Sequence, residues 1–74
     1  MYQSYVFFKT DLNNLEFMQD KILEIGGNTV KHIMTLYKES GLITRFVTEN
    51  PEELNKRLEN LKNPFLETKI LYAC

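Results

Sequence analysis

Two apolar stripes with helical spacing, Leu15-Met18-Ile22-Ile25 and Leu54-Leu58-Leu61, each follow a segment of strand character. That doubled strand-then-helix order is the strongest constraint on the fold, because neither stripe can be buried without a sheet to pack on. The sharper of the two helix starts is Asn50-Pro51-Glu52-Glu53. Asparagine caps the free N–H groups, proline suits the first helical position, and two acids sit at the positive end of the helix dipole. Pro64 closes this helix. The first helix is expected to start at Asn13, which with Glu16 makes a capping-box pattern after the turn-forming Asp11-Leu12-Asn13-Asn14. Gly26-Gly27 should end it.

Residues 2–10 (YQSYVFFKT), 29–38 (TVKHIMTLYK), 42–49 (LITRFVTE) and 67–73 (ETKILYA) read as strands, rich in aromatic and β-branched residues. The turn Glu39-Ser40-Gly41 makes the second and third a hairpin. The order is β-α-β-β-α-β, so residues 1–74 are expected to form one α+β domain. It should be a ferredoxin-like βαββαβ sandwich, with a four-stranded antiparallel sheet in order 4-1-3-2 and two helices on one face.

Charges tell which strand face meets the helices, since a charge is not left unpaired in a core. Lys9 shares a face with Tyr5 and Phe7, which leaves Val6 and Phe8 inside. Arg45 and Glu49 likewise place Leu42, Thr44 and Phe46 inside. Lys31 marks Ile33 and Tyr37 as outside and Val30, His32, Met34 and Leu36 as inside. Lys69 marks Leu71 as outside and Ile70 and Tyr72 as inside. The outer face then carries Tyr5, Phe7, Ile33, Tyr37, Ile43, Val47 and Leu71, edged by Lys9, Lys31, Arg45 and Lys69. This is more apolar surface than a small monomer leaves in water, so something should cover it. A chain of 74 residues buries only about 60% of its unfolded surface, and pairing would add stability. A homodimer contact through Tyr5, Phe7, Ile33, Tyr37, Ile43, Arg45, Val47 and Leu71 is the first expectation.

Composition narrows the function classes. With 43% hydrophobic and 26% charged residues the chain is globular rather than disordered. Nine basic against ten acidic residues give a net charge of −1, neither the basic balance of a phosphate-held protein nor that of an acidic nucleic-acid mimic. The lone cysteine, Cys74, cannot form an internal disulfide. Met1-Tyr2-Gln3-Ser4 lacks a signal-peptide pattern, so a cytoplasmic location is expected, with no membrane partner. His32 is the only histidine and lies in no cluster of metal ligands, and no P-loop, GxGxxG or HExxH occurs. No catalytic residue, metal or cofactor is expected. The MxCxxC motif of metal chaperones of this fold and the anion loop of acylphosphatases are also missing.

Two families share parts of the pattern. Asp11-Leu12-Asn13-Asn14-Leu15, Gly26-Gly27-Asn28 and Asn50-Pro51-Glu52-Glu53-Leu54 together resemble the turn, the post-helix step and the second-helix start of ACT-like regulatory domains. The turn departs from that family, with Asn13 and Asn14 in place of its proline and glycine. The resemblance implies a non-enzymatic, stand-alone regulatory domain that dimerises and binds a small metabolite, through Asp11, Asn13, Asn14 and Leu15, or a partner protein. The element order, with Phe7 on the first strand and cationic Lys9, Arg45 and Lys69, also resembles RNA-recognition motifs, although the aromatic consensus of their third strand is absent. That resemblance implies an RNA-binding module. A small inhibitor or adaptor of a larger protein is a further alternative, and an enzyme ranks last.

Overall fold

The computed structural model describes Met1–Cys74, all but the side chain of Lys62. The elements are β1 (Tyr2–Lys9), α1 (Leu15–Gly26), β2 (Val30–Leu36), β3 (Gly41–Thr48), α2 (Pro51–Lys62) and β4 (Glu67–Ala73). The four strands pair antiparallel in the order β2-β3-β1-β4, with both helices packed into one core on the same face. This is the ferredoxin-like βαββαβ sandwich expected from the two stripes.

Local chemistry accounts for most boundaries. Asn50 is extended, and its side chain accepts from the Glu53 N–H at 2.9 Å with Pro51 at the first helical position. Glu53 Oε1 in turn accepts from the Glu49 N–H at 2.8 Å, so the start of α2 is locked from both sides. The Arg57 guanidinium donates to the Ile25 carbonyl at 2.9 Å and ties α2 to the end of α1. The start of α1 differs from expectation. Asn13 lies inside a 3-10 turn, Leu12–Asn14, that follows extended Asp11, and no side chain caps it. A residue already wound into a turn cannot act as the extended N-cap that a capping box needs. At the far end Gly27 takes φ +55° and donates its N–H to the Leu23 carbonyl, while the Thr29 hydroxyl donates to the Gly26 carbonyl at 2.6 Å.

The core is continuous. Val6, Phe8, Leu42 and Phe46 from the central strands are fully buried under Leu15, Met18 and Ile22 of α1 and Leu54, Leu58 and Leu61 of α2. Phe65, in the α2–β4 connection, stacks on Phe8 with ring centroids 4.7 Å apart, a contact the stripes do not reveal. The inner face also buries hydroxyls. Ser4 Oγ and Thr44 Oγ1 have no hydrogen-bond partner among the described residues.

Both edge strands contain a β-bulge, and each corrects the expected facing. In β2, Val30 pairs with Phe46 but His32 pairs with Arg45, so Lys31 is an extra residue. Beyond it every side chain changes face. Ile33 pairs with Thr44 and packs against the core, whereas His32 and Met34, expected inside, face outward. Leu36 pairs with Gly41 on the outward side as well. Tyr37 belongs to the turn after β2 rather than to the strand and is exposed. In β4 the extra residue is Leu71: Ile70 pairs with Val6 on the helix side, but Tyr72, expected inside, pairs with Tyr5 on the outside. Ile70 is still 45% exposed, because a groove of about 490 Å3 lined by Asn55, Leu58, Glu59 and Lys69 separates α2 from β4.

Candidate functional site

The open face of the sheet is built from cross-strand rows, since partners in an antiparallel pair project to the same side. One row spans all four strands as His32, Arg45, Tyr5 and Tyr72. The next reads Met34, Ile43, Phe7 and Lys69, and the third Leu36, Gly41, Lys9 and Glu67. Val47 and Gln3 pair at the far end. Tyr5, Phe7, Ile43, Arg45 and Val47 therefore face away from the helices as expected. Ile33, Tyr37 and Leu71 do not belong to these rows. His32, Met34, Leu36 and Tyr72 do, and sequence reasoning missed them because it ran a strict period of two through both bulges.

The apolar side chains of this face remain accessible: Met34 is 50% and Tyr72 56% exposed, and Tyr5, Phe7, Ile43 and Val47 are partly buried. The Tyr5 and Tyr72 rings lie 6.5 Å apart and tilted by 51°, within the range of attractive aromatic pairs. Cys74 Sγ and Tyr72 Oη are hydrogen-bonded at 3.2 Å. That bond, followed by the charge of Cys74, burial and Tyr5, holds the Tyr72 phenol above its ordinary value. Arg45 Nε donates to Gln3 Oε1 at 3.0 Å, which fixes the guanidinium in the middle of the face. The open face is net basic, with Lys9, Arg45 and Lys69 against Glu67, whereas the helices carry six acids, Glu16, Asp20, Glu24, Glu52, Glu53 and Glu59, against four basic residues, Lys21, Lys56, Arg57 and Lys62.

The turn drawn from the ACT-like pattern is differently disposed. Leu15 is buried in the core, and the Asn14 N–H already donates to the Asp11 carbonyl at 2.9 Å. Asn14 has φ −107°, not the left-handed conformation that brings a ligand close to the backbone. Asp11 and Asn13 are exposed beside it. Among the described residues no three His, Cys, Asp or Glu side chains are placed to hold a metal, and no helix is long and apolar enough to cross a membrane. Comparison with protein families, with curated proteins and with solved structures finds no match to this chain.

Proposed function

We propose that the chain is a non-enzymatic binding domain whose working surface is the open sheet face, and that two copies associate there face to face. The observation that carries this reading is the apolar surface of Tyr5, Phe7, Met34 and Ile43, with Val47 beyond Arg45, on a sheet whose other side is packed against both helices except at the α2–β4 groove. The edges are poor alternatives. Both β2 and β4 are interrupted by a bulge, at Lys31 and at Leu71, and each strand carries a lysine, Lys31 and Lys69; bulges and lysines are the usual devices that stop strand-to-strand addition. A role in regulation, as the ACT-like resemblance implies, fits a domain that works by associating.

Size sets the strength. Strands about 4.8 Å apart with about 3.3 Å per residue give a face of roughly 19 by 23 Å, so two copies bury on the order of 800 Å2 or more, the low end for a specific contact. The dimer is therefore weak and concentration-dependent. Light scattering at tens of micromolar should report a dimer. Phe7→Glu, which puts an unpaired charge at its centre, should give a folded monomer. A wild-type protein that is monomeric at that concentration overturns the homodimer and hands the face to a different protein, the inhibitor or adaptor reading.

A second reading draws support from the row His32-Arg45-Tyr5-Tyr72 and the neighbouring Lys69, aromatic and cationic groups side by side of the kind that stack bases and hold phosphates. It requires binding of a mixed-sequence single-stranded RNA pool at low salt that weakens steeply as salt rises. No binding under those conditions removes it.

A further inference from the structure

Arg45 is out of place in the contact just proposed. It stands on a central strand, partly buried, in the middle of an apolar face rather than at its rim. Its one side-chain hydrogen bond, from Nε to Gln3 Oε1, leaves the four N–H donors of the two terminal nitrogens free, and among the described residues it makes no ion pair. Closing a second copy over that guanidinium would strip its water without supplying a counter-charge, which is unfavourable for any buried cation. The Gln3 bond also matters for direction. It pins the Nε edge and leaves the two terminal nitrogens as a fork, the geometry that takes two oxygens of one carboxylate or phosphate. Tyr5 and His32 are the cross-strand neighbours of Arg45, Tyr72 lies beyond Tyr5, and Phe7 is in the next row.

We propose that Arg45 is the centre of an anion site enclosed when two sheet faces meet, taking a small organic anion whose carboxylate or phosphoryl oxygens sit on the guanidinium fork and whose apolar body lies on Tyr5 and Phe7. The inference rests on the face-to-face contact, because closure is what leaves the guanidinium in need of a partner. Binding and association are then linked, so the anion tightens the dimer.

The test is the dimer dissociation constant by sedimentation, with sodium benzoate, phenyl phosphate, inorganic phosphate or sodium chloride added at matched ionic strength. The Arg45 Nε–H resonance is followed by NMR in the same samples. Benzoate or phenyl phosphate should tighten the dimer about tenfold, within the usual range for coupled sites, and shift the resonance. The better of the two identifies the head group. Arg45→Gln removes the uncompensated charge, so it should dimerise more tightly than the parent without anion and lose the response to anion. Equal tightening by chloride, or a response that survives in Arg45→Gln, overturns the site. A dimer indifferent to every anion overturns it as well and leaves the face-to-face reading standing. A protein that stays monomeric throughout overturns the face-to-face reading. The enclosed site falls with it, and a resonance that still moves with benzoate or phenyl phosphate reports only an open anion contact at Arg45. Oligothymidylates of increasing length are titrated in parallel, and binding seen only with them, growing with their length, overturns the small-anion site in favour of a nucleic-acid strand.

Discussion

The ring of Phe7 lies directly against Gly41 on the open face, so close that a Cβ at position 41 would stand 2.5 Å from Phe7 Cε1 and 2.7 Å from the Phe8 carbonyl oxygen. Glycine is therefore required at 41 for space. The left-handed residue of the adjoining turn is Ser40, with φ +53°, whose hydroxyl donates to the Thr10 carbonyl. Gly41→Ala should displace both the ring and the strand backbone and cost about 1–3 kcal/mol, as overpacking commonly does. Urea unfolding measures this, and a loss near zero would mean that Phe7 does not rest there. The same variant should weaken association, since Phe7 is central to the patch.

The bulge at Lys31 makes neighbouring residues of β2 respond differently. Ile33 packs on the core, so Ile33→Ala should destabilise by about 1–2 kcal/mol, less than a fully buried isoleucine. Met34 is half exposed on the other face, and Met34→Ala should stay within about 0.5 kcal/mol while loosening the dimer. The reverse ranking in thermal or urea unfolding would restore the unbulged register.

Thr44 is fully buried between Leu42 and Phe46 on β3, and its hydroxyl finds no partner among the described residues. Thr44→Val keeps the shape and removes the orphan group. It should raise stability by about 1 kcal/mol, because an unmet buried hydroxyl carries its desolvation penalty uncompensated. A measured loss would show that the hydroxyl is hydrogen-bonded in solution.

Leu58 sits at the middle of the α2 stripe and is 5% exposed. Leu58→Ala should cost about 2–5 kcal/mol by denaturant titration. A loss below about 0.5 kcal/mol would show that the buried face of α2 is assigned wrongly, since the lost transfer energy of a buried leucine alone exceeds that.

The elements, their order and the inner face of the central strands were legible from the chain's local pattern. Helix stripes, the Asn50 cap and the Gly26-Gly27 stop are local signals, and Val6, Phe8, Leu42 and Phe46 sit on strands hydrogen-bonded on both sides, where a period of two runs unbroken. From that, Tyr5, Phe7, Ile43, Arg45 and Val47 could be placed on the open face. Tertiary structure alone decided the edge strands. A bulge is a property of the pairing between two strands, and nothing within Thr29–Lys38 or Glu67–Ala73 announces that Lys31 and Leu71 are left without a partner. On an edge a lysine can stand at a bulge as easily as on a regular outer position, so charge loses its power to mark the face. One extra residue then exchanged Ile33 for His32 and Met34, and another brought Tyr72 outward, because each insertion inverts every side chain beyond it.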